Sequence, residues 1–159
     1  MTNVCGNETQ GRFKNNREKR NIIPPVSPYG LIQETLWPNE WKILVACMLL
    51  NCTTRKSMEK VVKPLFEKYP DALSMTTANP NEVAELIGSL GFRNKRSKSL
   101  IEMSNAYVKN DWTHASELPG IGEYASAAWE IFVRGVLPLQ APKDHALTAY
   151  YMWRKKHGG

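Results

Sequence analysis

The chain has 159 residues and a mass of 18.1 kDa, enough for one domain and short for two. A hydrophobic share of 42% permits a packed core and excludes wholesale disorder. Lys and Arg total 21 against 15 Asp and Glu, and the resulting net charge of +6 suits a polyanionic partner such as nucleic acid or an acidic membrane surface. The longest apolar runs, such as residues 43–50, are far too short to span a bilayer, and the polar N-terminus does not read as a signal peptide. Three cysteines (Cys5, Cys47 and Cys52) are odd in number and lack CxxC spacing. They do not suit a disulfide scaffold, cannot alone build a four-Cys zinc or iron–sulfur site, and point to a reducing compartment.

Residues 1–22 are polar and Asn-rich, with Arg12, Lys14, Arg17, Lys19 and Arg20, and are expected to form a flexible basic tail. Such a stretch is a solvating arm, an electrostatic tether or a nuclear signal. Pro24-Pro25 and Ser27-Pro28 mark where the folded body, residues 23–159, begins. Residues 39–51 place Trp41, Leu44, Val45, Met48 and Leu49 at helical spacing, with apolar residues between them, which predicts a central helix buried nearly all round. Thr54 is a candidate cap for a helix over 55–68, with Met58, Val61, Val62, Leu65 and Phe66 inward and a kink expected at Pro64. Asn79-Pro80 starts another through Val83, Leu86 and Ile87, stopping near Gly91. Further helices are expected over 94–109, over 122–134 ending at Gly135, and from about Asp144 to the C-terminus, with a short helical piece from Trp112 to Glu117. No segment alternates strictly in the manner of a strand, and no heptad repeat is present. The predicted class is all-α, a compact array of about seven or more short helices, with Trp41, Leu44, Met48, Leu65 and Leu86 in the core.

The string Leu118-Pro119-Gly120-Ile121-Gly122-Glu123-Tyr124 places two glycines between a short helical piece and a longer helix. Glycine permits positive φ and close backbone approach, and the turn leads into a helix N-terminus whose free amides attract an anion. Gly120, Ile121 and Gly122 are therefore candidates to hold a phosphate, with Lys56 and Lys143 as side-chain candidates. Arg93, Lys95, Arg96 and Lys98 form a basic cluster that either follows a phosphate backbone or is a solvated helix face. His114, His145 and His157 do not have metal-site spacing, and no metal is expected.

The LPGIG hairpin, followed 22 positions after Gly122 by Asp144, resembles the helix-hairpin-helix DNA glycosylases. Ile23-Pro24-Pro25, Gln33-Glu34-Thr35-Leu36, Leu50-Asn51, Lys68-Tyr69-Pro70, Leu90-Gly91 and Asp144-His145 are similar to catalytic domains of the methyl-CpG-binding thymine/uracil mismatch branch, over roughly residues 22–157. No methyl-CpG-binding domain is present in this chain. The resemblance implies the helix-hairpin-helix glycosylase fold and assigns Asp144 as the catalytic carboxylate, a position that also suits an N-cap. It implies Gln33, Tyr124 and Asn51 at the base pocket, and Cys52, Phe92 and Arg55 at the wedge and the side of the orphaned base. Each also has a bland alternative: an exposed helical Gln, a packing Tyr, a helix-end Asn, a small packing Cys and a loop-covering Phe.

Two positions depart from the family pattern. Cys52 stands where an arginine wedge is usual, with Arg55 as a nearby substitute, and Ala146 stands where a lysine is common. Bifunctional relatives carry a lysine at the seventh position of the hairpin string, where this chain has Tyr124, which cannot form a Schiff base. The implied function is a monofunctional DNA glycosylase of base excision repair. It would flip and hydrolytically remove thymine or uracil mispaired with guanine in double-stranded DNA, leaving an abasic site. A nuclear monomer with no cofactor and no membrane association is expected. The alternatives are an adenine-mismatch or oxidised-pyrimidine specificity, or a non-catalytic DNA-binding module.

Overall fold

Asn39 and Thr54 start the two helices that organise the molecule. In a computed structural model describing residues 23–138 and 141–157, the Asn39 side chain accepts from the Lys42 amide at 3.0 Å and that of Thr54 from the Ser57 amide at 3.1 Å. The expected tail, residues 1–22, lies outside the described residues. Among the described residues eight α-helices follow in order: α1 Ile32–Leu36, α2 Glu40–Leu50, α3 Arg55–Lys68, α4 Ala72–Thr76, α5 Pro80–Leu86, α6 Arg93–Lys109, α7 Glu123–Trp129 and α8 His145–His157. Short 3-10 turns span Gly88–Leu90 and Ala115–Glu117, and a π turn over Glu130–Arg134 prolongs α7 up to Gly135. The all-α class is observed, with no strand among the described residues.

Helix α2 is the hub, and α1, α3, α6 and α7 all pack against it. Every residue from Ile43 to Leu49 is buried, as the unbroken apolar pattern predicts. Three polar bonds fix how the others approach. Trp41 Nε1 donates to Ser104 Oγ at 2.9 Å, tying α2 to α6. The Glu40 carboxylate accepts from Tyr107 Oη and from Trp129 Nε1, both at 2.8 Å, which joins α2 to the end of α6 and to α7. Glu34 accepts the Ser27 and Leu31 amides at 2.7 and 2.6 Å and sets the path of the chain into α1. At the far end, Tyr150 Oη donates to the Pro25 carbonyl at 2.8 Å, so α8 closes over the first described segment.

The structure refines several expectations. Helix α3 runs through Pro64 as one element, anchored by the buried Met58, Val61, Val62 and Leu65. Leu86 is only half-buried, because the chain tightens into a 3-10 turn just beyond it and turns Ile87 inward instead. Helices α1 and α4, of 5 residues each, had no counterpart in the predicted pattern. Replacing Leu44, fully buried on α2, by alanine is expected to lower unfolding stability by about 2–5 kcal/mol in a denaturant titration, since its neighbours on every side are helices that cannot collapse inward.

Candidate active site

The glycine string forms a tight connection from the Ala115–Glu117 turn into α7. Glu117 builds its first half: its carboxylate accepts the His114 amide at 2.7 Å and the Thr113 amide and hydroxyl at 3.0 Å each. Those bonds hold Glu117 below the usual carboxylate range. The Leu118 amide then donates to Ala115 and that of Ile121 to Leu118, at 2.9 and 3.3 Å. Gly120 sits between them at φ +80, where a Cβ would come within 2.8 Å of Met48 Cε. Gly122 has ordinary negative φ and caps α7; a side chain there would project into open space. Glycine is thus favoured at position 120 by its positive φ, since the Met48 methyl is the movable end of a flexible side chain, while Gly122 leaves an open approach to the backbone. Behind the hairpin, His114 bridges Ser116 and Glu130, both at 2.8 Å, and its ring meets Trp129 edge-on at 4.9 Å.

Beside the hairpin lies a cavity of about 580 Å³, within the range of small-molecule sites. Its buried wall is Cys47, Met48, Leu49, Leu100 and Ala125; Tyr124, Gly120 and Gly122 form the hairpin side, and Asn51, Cys52, Phe92 and Lys95 the exposed edge. Gln33 stands one layer behind this wall, 1% exposed. Its Nε2 donates to Tyr124 Oη at 2.6 Å and to Cys47 Sγ at 3.4 Å. Among the described residues no side chain donates to its amide oxygen. Burial pushes the Cys47 thiol up to about 12, against the hydrogen bonds from Gln33 and Tyr124, with Asp144 raising it further. Tyr124 is also raised, by burial first, then by Cys47 and Asp144. Asp144 itself is exposed and does not line the cavity. It caps α8, with Oδ2 accepting the Leu147 amide at 2.9 Å, and the Thr148 hydroxyl bonds the Pro142 carbonyl in the same turn.

The structure thus joins Gln33 to Tyr124 beside the cavity and sets Asn51, Cys52 and Phe92 at its edge, with Asp144 at the start of α8. It does not bring Arg55 there: that guanidinium bonds Glu59 at 2.6 Å and the Gly30 carbonyl. Lys143 lies 3.6 Å from Glu123, both highly exposed, and Lys56 is exposed on the first turn of α3. Of the basic cluster, Lys95 and Arg96 reach the cavity, whereas Arg93 and Lys98 do not. Cys47 was missed as a site residue, because in an apolar run a cysteine reads as core. No cluster of His, Cys, Asp and Glu fit for a metal is found among the described residues, and no described helix is long and apolar enough to cross a membrane.

Residues 45–155 match the family described as HhH-GPD superfamily base excision DNA repair protein. A methyl-CpG-binding domain protein 4-like protein of Arabidopsis thaliana is 39% identical over 129 residues, 81% of this chain and 29% of that protein. A thymine-DNA glycosylase of Aeropyrum pernix is 31% identical over 119 residues, 69% of this chain and 53% of that one. This chain therefore spans little more than half of one relative and less than a third of the other. Among solved structures, a thermostable thymine-DNA glycosylase shares the fold with a TM-score of 0.56 at 21% identity, over 82% of this chain and 61% of that one. An endonuclease III trapped as a covalent intermediate with DNA does so with a TM-score of 0.57 at 17% identity, over 86% and 62%.

The buried thiol gives the site a distinct alkaline response. Below about pH 9.0 both folded and unfolded chains keep the Cys47 proton, and this group's contribution is fully present. From there to about 12 the unfolded chain releases it while the folded protein keeps binding it, so stability falls, by up to about 1.4 kcal/mol per pH unit. Above 10.0 Tyr124 and Tyr150, both raised by burial, add to the fall. Denaturant midpoints measured at stepped pH are expected to show this decline, and Cys47→Ala to remove its earliest part.

Proposed function

Since the chain belongs to the HhH-GPD superfamily of base excision DNA repair proteins, we propose that it is a monofunctional DNA glycosylase that removes thymine or uracil mispaired with guanine. The observation that carries this reading is the Gln33–Tyr124 pair, fixed at 2.6 Å beside the cavity. The glycosylase names of its relatives agree with it. In this reading the protein acts as a nuclear monomer on duplex DNA, without a cofactor.

The pair explains the choice of base. With Gln33 Nε2 committed to Tyr124 and Cys47, the remaining amide oxygen is an acceptor. Thymine and uracil carry a proton on N3 and can donate to it; cytosine has a lone pair there and would be repelled. A base turned out of the stack into the cavity displaces the Tyr124 ring edge to reach this oxygen. The N-glycosidic bond then breaks with its electron pair going to the base, which takes up a proton, and positive charge develops on the sugar. Asp144 stabilises that charge through the carboxylate oxygen not used as a cap, then accepts the proton of the water that adds to the anomeric carbon. Tyr124 offers no amine for a Schiff base, so the product is an intact strand with an abasic site.

Single-turnover incubation with G·T, G·U and A·T duplexes tests this. Strand breaks are expected from the two mismatches only, and only after alkali. Asp144→Asn is expected to lower the rate by about 10²-fold or more while binding persists. Breaks without alkali would overturn the monofunctional assignment and direct attention to Lys95, the lysine lining the cavity. Salt-sensitive binding with no excision would instead favour a DNA-binding module.

A further inference from the structure

Among the described residues, Lys95, Arg96 and Glu123 are the charged groups that line the cavity, and Glu123 is the one carboxylate of the three. It is the first residue of α7, directly after Gly122, where the backbone lies open. A fixed negative charge at that mouth opposes a polyanion. Its counter-charge comes from another element: Lys143 Nζ stands 3.6 Å from Glu123 Oε2, with the two side chains 87% and 82% exposed. Elsewhere among the described residues, the Arg55–Glu59 and Lys98–Glu102 pairs lie within single helices and Lys68–Glu82 joins α3 to α5. The Glu123–Lys143 pair instead joins the hairpin helix to the turn before α8. It lies one residue from the proposed chemistry on each side, since Tyr124 follows Glu123 and Asp144 follows Lys143.

An exposed pair at this distance is held weakly and screened by salt, so it exchanges partners at little cost. The backbone around Lys143 is fixed by contrast. The Thr148 hydroxyl bonds the Pro142 carbonyl, and the Leu147 and Thr148 amides donate to the Asp144 carboxylate and carbonyl at 2.9 and 2.8 Å. Only the long lysine side chain has to swing for its ammonium to change partner. A phosphate oxygen offers that ammonium the same kind of charged acceptor as a carboxylate. We propose that Glu123 stands in for a DNA phosphate. It holds Lys143 in the free protein, yields it to a backbone phosphate on binding, and takes it back as the abasic product leaves. Because Asp144 follows Lys143 in the same fixed turn, the phosphate captured is one that flanks the nucleotide whose sugar Asp144 faces. Glu123 is thereby an affinity-determining residue that loosens the grip on DNA. This role rests on the duplex substrate proposed above and adds to it a competitor within the protein itself.

A double-mutant cycle on binding decides it. A duplex with guanine opposite a tetrahydrofuran abasic analogue, which cannot react, is titrated by fluorescence anisotropy over a series of salt concentrations. Glu123→Gln is expected to tighten binding roughly 2- to 5-fold, the worth of one exposed ion pair. It is also expected to steepen the slope of log affinity against log salt by about 0.9, as one further phosphate contact would. Lys143→Gln is expected to weaken binding, and Glu123→Gln added to it to bring little or no tightening. On a G·U duplex, multiple turnover by Glu123→Gln is expected to slow relative to its own single-turnover rate, since product leaves later. Both side chains are exposed, so neither substitution opens the core, and denaturant midpoints verify that the variants are folded. Binding by Glu123→Gln no tighter than wild type overturns the exchange. Equal tightening with and without Lys143 also overturns it, leaving only repulsion between Glu123 and the duplex. Weakened binding by both single variants, restored by combining Glu123→Lys with Lys143→Glu, overturns it in favour of a structural tie. Wild-type protein that binds the duplex but frees no base sinks the proposed activity instead, and the binding cycle then still decides the exchange.

Discussion

Seven consecutive side chains on α2, Ile43 to Leu49, are shielded from water, so this helix must be enclosed on every side. No single neighbour can enclose it, and the chain supplies α1, α3, α6 and α7 for the purpose. Three of the wrapping helices carry something to the same end of α2: α1 brings Gln33, α6 brings Arg96 and the turn before it, and α7 brings Tyr124. The cavity wall is the C-terminal half of α2 itself, in Cys47, Met48 and Leu49. Burying the hub and assembling the site are therefore one packing problem.

Apolar burial does not by itself choose one arrangement, because it is non-directional. The directional part comes from a few polar bonds across long stretches of sequence. Glu40 receives Tyr107 and Trp129, Trp41 reaches Ser104, and Gln33 reaches Tyr124. Each of these groups is costly to leave unsatisfied inside the protein, so each fixes the rotation of one helix against another. The Gln33–Tyr124 bond belongs to this set as much as to the proposed chemistry. It keeps the pocket preorganised at the expense of closing it, since the amide lies behind the ring.

Much of the fold was written in local signals. Asn39, Thr54 and Asn79 each begin a helix through a side-chain oxygen bonded to an amide two or three residues on, a pattern visible in the sequence alone. Helices α1 and α4 are too short to show a period, although Asp71 and Ser74 at the start of α4 do form a reciprocal cap. Leu86 and Ile87 are adjacent and equally apolar; which one faces the core depends on the tightening of the turn beyond them. For the site, the hairpin string was legible as two glycines between helical segments, but the pocket place of Tyr124 only through resemblance to a known family. Gln33 was legible only through resemblance to a known family, since a lone Gln on a helix has no distinguishing pattern. Arg96 read as one member of a basic run. The carbonyls that claim it, at Met48 and Asn51, are 48 and 45 residues away, and no local pattern announces them.

The close fit of Gly120 over Met48 has an evolutionary consequence. The methionine's terminal methyl occupies the space a side chain at 120 would need, while the same methionine helps line the cavity. The two positions are thus physically linked: a smaller residue at 48 would open room beneath the hairpin and enlarge the pocket. Drift at either position is coupled to a change in what the cavity admits. The shape of the cavity can therefore shift through a residue of the hub helix that lies outside the hairpin.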